Sequence, residues 1–191
     1  SVGFCAPKSA PKSSGEALIR AAEQALSDAC SHGTGVIRAF SPEMQQRAQM
    51  RIALEDELPV ALENEQIRTW FQPQVSCKSG VVTGFEVLAR WEHPDRGTVP
   101  PAQFLSAAAD MGLMERLGEV MLFQALSALR TWDSAGLDVP GLSLNFSSEE
   151  LRNQMLVDKI RWELDRFGIA PERMGVEVPE TVIAQTSNDT I

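Results

Sequence analysis

A chain of 191 residues has room for one full domain, or for one domain and part of another. With 43% hydrophobic and 23% charged residues it lacks the composition of a disordered chain, and a formal net charge of -9 argues against non-specific binding to polymeric nucleic acid, which requires a lysine- and arginine-rich face. Cys5, Cys30 and Cys77 are widely spaced and form no CxxC pair, and no run reaches the ~18 apolar residues of a membrane span, so the chain reads as cytoplasmic with reduced thiols. It begins on Ser rather than Met, directly in strand-like residues, and so reads as part of something longer.

"SVGFCA" reads as a strand, and a Pro/Ser/Lys loop then leads to a helix at "SSGEALIRAAEQALSDACSHG". Ala17, Leu18, Ala21, Ala25 and Ala29 share one side of that helix, which stops at Gly33, and "TGVIRAF" is a second strand. Ser41 caps the next helix, with Pro42 in its first turn and an apolar stripe of Met44, Ala48, Ile52 and Leu58; Pro59 should break or kink it. We expect the domain boundary near residue 41. "TWFQPQVS" and "GVVTGFEVLARW" flank the turn residues "CKSG" and predict an antiparallel hairpin. "EHPDRGTVPP" reads as a loop, followed by a short helix, "AQFLSAAADMG", and a long one over 113–135. "GLSLNFS" is a strand, "SSEELRNQMLVDKIRWELDRFG" one helix with a Ser cap, and "MGVEVPE" a strand. After the hairpin, strands alternate with helices, as in an α/β sheet or barrel.

Three of these apolar strands each carry one polar residue out of pattern: Glu86, Asn145 and Glu177. An unpartnered carboxylate in a low-dielectric interior prefers to bind a proton or a cation. Two carboxylates and an amide on neighbouring strands are hard oxygen donors of the kind Mg²⁺ or Mn²⁺ takes. Three unrelated edge residues facing solvent would give the same spacing. Arg90 lies four residues from Glu86 and shares its face. The two readings are an internal ion pair, or Glu86 on a metal with Arg90 forked onto a phosphate.

The segments "FQPQV", "GFEVLARWEHPDRGTVPPAQFLSAAADMGLM", "LNFS" and "VEVPE", in this order, resemble the EAL domain family of cyclic di-GMP phosphodiesterases over residues 52–191. The first 40 residues resemble the tail of a GGDEF domain. The resemblance implies residues 1–41 as a C-terminal GGDEF-like fragment of α+β type, 42–64 as a connecting helix, and 65–191 as the N-terminal half of a (β/α)8 TIM-like barrel with its first strand antiparallel. It implies hydrolysis of cyclic di-GMP to linear pGpG with two Mg²⁺ or Mn²⁺ ions. Glu86, Asn145 and Glu177 match metal-ligand positions, Gln72, Leu88 and Arg90 match ligand-contacting positions, and Glu180 matches a second acid; Glu86, Glu177 and Glu180 are the expected catalytic residues.

The signature Glu-Ala-Leu of that family is here Glu-Val-Leu, Pro179 stands where threonine is usual, and Ala109 replaces a common acid. Ser27 and Cys30 stand where GGDEF relatives often carry Tyr and Lys. The family's Asp-Asp-Phe-Gly-x-Gly stretch is not reached by Ile191, so the chain alone is expected to be inactive. The competing reading is a degenerate, non-catalytic cyclic di-GMP receptor or interaction module. Unpaired barrel edges point to a homodimer, and any membrane attachment is expected through parts of the parent outside this chain. His93 reads as a turn residue, and the tryptophans Trp91, Trp132 and Trp162 as core packing.

Overall fold

Ser14 sets the first helix by accepting a hydrogen bond from the N–H of Ala17 at 3.3 Å, which satisfies one of the donors a helix start leaves open. The computed structural model describes residues 1–6 and 14–179. The chain divides between Asp56 and Glu57 into two units. In the first, β1 (Val2–Phe4) and β2 (Ile37–Ala39) pair in parallel across α1 (Gly15–Ser31). Ala21 and Ala25, one helical turn apart, form its core with Phe40, and Cys5 and Met44 pack against them. Small side chains let helix and strand approach closely: a Cβ on Gly3 would stand 2.0 Å from the backbone nitrogen of Leu26.

The division falls inside α2 (Pro42–Glu63). A break at Pro59 and part of the expected stripe do not hold in this helix. It runs through Pro59, which costs the hydrogen bond that residue would have donated to the Glu55 carbonyl but does not end the helix. Ile52 is 60% exposed, and the buried stripe is Leu54, Leu58 and Ala61, at the helical spacing i, i+4, i+7.

The second unit opens with a hairpin, β3 (Ile67–Val75) and β4 (Val82–His93), in antiparallel register with Gln72 opposite Glu86. Residues 94–100 are not all loop, because β5 (Gly97–Val99) folds back on the end of β4. His93 does more than turn the chain. It is 6% exposed, and its Nδ1 accepts from the N–H groups of Asp95 (3.1 Å) and Arg96 (3.3 Å). The proton therefore sits on Nε2, which donates to Glu57. Arg96 forks onto the same carboxylate at 2.7 and 2.9 Å.

Helices α3 (Pro101–Asp110) and α4 (Met114–Ser134) pack on one face of the hairpin. Trp91 is fully buried there, its ring edge-on to Phe104 and its N–H donated to Gln66 at 3.1 Å. Trp132 packs on Phe71 and Phe85 from the same side. Trp162 departs from the expected core role and is 62% exposed. The strand β6 (Leu142–Asn145) then pairs in parallel with β4, and β7 (Met174–Glu177) in parallel with β6, giving the path β3-β4-β6-β7.

The segment 147–168 forms two helices rather than one, α5 (Ser148–Arg152) and α6 (Leu156–Phe167). Asn153 causes the break. Its backbone is extended, its side-chain oxygen accepts from the N–H of Met155 at 2.9 Å, and its amide donates to Glu115 at 3.0 Å. An Asn that bonds its own backbone two residues on offers the chain an alternative to continuing the helix. Gln124 of α4 covers the outer edge of β3, accepting from the N–H of Thr69 (3.0 Å) and donating to the carbonyl of Ile67 (2.8 Å). No helix among the described residues is long and apolar enough to cross a membrane.

Candidate active site

Side chains alternate along a strand, and residues directly opposite in a ladder share a face. Phe71, Val87, Trp91, Leu142 and Leu144 take the face that the helices cover. The other face carries successive rows across β3 and β4: Gln74 with Gly84, Gln72 with Glu86, Trp70 with Leu88, and Arg68 with Arg90. Ser143 is opposite Glu86 on β6, and Glu177 is opposite Asn145 on β7, so both join this face. Six of the expected site residues are thereby brought to one side of the sheet: Gln72, Glu86, Leu88, Arg90, Asn145 and Glu177. Glu180 lies outside the described residues.

Hydrogen bonds tie the acids together. Asn145 Nδ2 donates to Glu86 Oε1 at 2.8 Å; a carboxylate only accepts, so the amide turns its nitrogen toward it. Ser143 Oγ donates to Glu177 Oε1 at 2.6 Å, and Gln74 Nε2 reaches both, each at 3.2 Å. Gln74 and Ser143 were not picked out from the sequence. Their signal was parity, since Gln74 stands two residues from Gln72 and Ser143 two from Asn145. Glu86 and Glu177 are half-buried and Asn145 is exposed, so the acids lie on an open face rather than in a dry interior.

Arg90 forms no ion pair with Glu86. Four residues of extended strand place their Cα atoms roughly 13 Å apart, too far for the two side chains to meet directly. Its guanidinium instead lies 5.5 Å from the centre of the Trp70 ring and donates to the carbonyl of Ala89 at 2.8 Å. A cavity of about 1030 Å³ between β3, α4 and α6, lined by Phe71, Phe123 and Trp132, opens on the opposite face and shares none of these acids.

The donor set offers oxygens suited to a hard divalent cation. Glu86 Oε2, Asn145 Oδ1 and Glu177 Oε2 receive no hydrogen bond within the described residues. No group of three His, Cys, Asp or Glu side chains among those residues is placed to hold a metal, whereas two carboxylates with the Asn145 amide oxygen and water make a set that Mg²⁺ accepts.

The sequence profile of the EAL domain matches residues 55–191. The chain belongs to the EAL domain family. Over 174 residues it is 31% identical to the bifunctional diguanylate cyclase/cyclic di-GMP phosphodiesterase MucR of Pseudomonas aeruginosa, covering 91% of this chain and 25% of that protein. It is 30% identical over 169 residues to the cyclic di-GMP phosphodiesterase PdeR of Escherichia coli, covering 88% of this chain and 25% of that one. Among solved structures, the PaMucR phosphodiesterase in complex with c-di-GMP superposes with a TM-score of 0.64 at 31% identity, covering 73% of this chain and 61% of that chain. The EAL fold explains the antiparallel first strand and the helix-covered outer face: the second unit is a partial α/β barrel. The chain spans between about a fifth and a quarter of the length of the curated relatives it matches.

Proposed function

We propose that the second unit is the opening part of a cyclic di-GMP phosphodiesterase domain, whose parent protein hydrolyses cyclic di-GMP to linear pGpG. The observation that carries this is the inner face of β3, β4, β6 and β7, where an EAL-family chain aligns Glu86, Asn145 and Glu177 with Gln72, Leu88 and Arg90. Glu86, Asn145 and Glu177 would hold Mg²⁺ or Mn²⁺. When bound, two such ions supply Lewis acidity to a water and to the phosphoryl oxygens. Ser143 and Gln74 fix the Glu177 carboxylate by their hydrogen bonds, and Asn145 fixes that of Glu86. Arg90 supplies a planar fork for a phosphate, which lets an acidic protein take a dianionic ligand. By the family resemblance, Glu180 would serve as a second acid.

We read residues 1–41 as the closing piece of a GGDEF-like domain, 42–64 as a connector and 65–191 as the EAL part, in a cytoplasmic protein. The test is incubation of the intact parent protein with cyclic di-GMP and Mg²⁺, with and without a chelator. Linear product that the chelator abolishes is expected, with a loss of at least 100-fold in Glu86→Gln. Absence of chelator-sensitive product would sink the enzymatic reading.

The second reading, a non-catalytic receptor, is favoured by Pro179 and by carboxylates that already satisfy one oxygen each with protein donors. It requires cyclic di-GMP binding that survives chelation, is lost in Arg90→Ala, and is accompanied by no turnover.

A further inference from the structure

The strongest unexplained residue on this face is Trp70. It is 48% exposed, in a row between the Gln72–Glu86 pair and the Arg68–Arg90 pair. An indole this exposed gains little from burial, and the Trp70 ring makes no ring-to-ring contact among the described residues, unlike Trp91 and Trp132. Among the described residues its one defined partner is the Arg90 guanidinium, 5.5 Å from the ring centre. Besides that ring, Arg90 donates, among the described residues, only to the carbonyl of its own neighbour, Ala89. A long flexible cation with no carboxylate partner would sample many rotamers, and ordering it on binding costs free energy.

We propose that Trp70 is a positioning residue for Arg90: its indole face holds the guanidinium over the row beside Glu86, presenting the fork before a phosphate arrives. This rests on the phosphodiesterase reading, because that reading gives Arg90 its anionic ligand. Arginine stacked on a ring keeps its N–H groups in the guanidinium plane free to donate, so stacking and phosphate binding are compatible.

The test is a double-mutant cycle in the intact parent protein, measuring the KM and kcat for cyclic di-GMP hydrolysis, or the Kd where no turnover occurs. Trp70→Leu should weaken apparent affinity roughly fivefold with kcat little changed, and Trp70→Phe should recover most of it. In an Arg90→Ala background, Trp70→Leu should add nothing further. A full additional loss in that background would overturn the inference, since Trp70 would then touch the ligand itself. An Arg90→Ala protein with unchanged affinity would instead overturn the functional role of Arg90, and a wild-type protein that neither binds nor hydrolyses the nucleotide would overturn the phosphodiesterase reading.

A second measurement needs no ligand. The Arg90 Nε–H resonance, assigned by its loss in Arg90→Ala, should carry an upfield ring-current shift that disappears in Trp70→Leu. A resonance that does not move on that substitution would show that the ring does not hold the guanidinium.

Discussion

Glu57 shows how a single side chain ties one element to another. Arg96 and the N–H of His93 hydrogen-bond to its carboxylate and hold it down at about 2, from an ordinary 4.5. A carboxyl with a lower folded than unfolded pKa stabilises the fold fully above about 4.5, and that contribution is lost as pH falls toward 2. The Glu57 side chain is 41% exposed, so solvent screening keeps the effect modest, on the order of 1 kcal/mol or less. Thermal melts should show Glu57→Gln less stable than wild type at neutral pH, with the gap closing below about pH 4.5. A gap of the same size at low and neutral pH would contradict this. Nothing in the sequence paired residue 57 with 93 and 96, because the contact joins a helix to a hairpin 36 residues further on.

Between elements, shape decides what sequence rules leave open. Replacing a mid-helix glycine with alanine ordinarily stabilises by about 1 kcal/mol. At Gly118 of α4 a Cβ would stand 2.1 Å from Glu150 Oε1. That carboxylate is 7% exposed and locked in a capping box, where it accepts from the Ser147 backbone N–H at 2.9 Å and the Ser147 hydroxyl at 2.6 Å. Moving it aside would strain or break those two hydrogen bonds. Gly118→Ala should therefore destabilise, by about 1–3 kcal/mol, as an overpacked site does; urea unfolding that shows a gain would refute the argument. The Asn153 break between α5 and α6 has the same origin: Glu115, on another helix, receives the amide that holds the break open.

At the scale of the whole molecule, the sheet path is open, with β3 and β7 at its ends among the described residues. Gln124 occupies two backbone groups of the β3 edge in the way a neighbouring strand would, but it is one side chain against a strand of nine residues. The 191-residue chain alone should therefore self-associate, and sedimentation showing a monomer across the micromolar range would contradict this.

Local pattern was enough to read the antiparallel hairpin, the alternation of strand and helix, and the out-of-pattern Glu86, Asn145 and Glu177, because the two-residue period of a strand fixes which side chains share a face. It was also enough to carry the family resemblance. Wherever a contact spans distant segments, only the tertiary structure decided. The continuation of α2 through Pro59, the split at Asn153, the ordering of Glu177 by Ser143 and Gln74, and Arg90 on Trp70 rather than on Glu86 depend on strand register and helix packing. Those fix distances of a few ångströms between residues far apart in the chain.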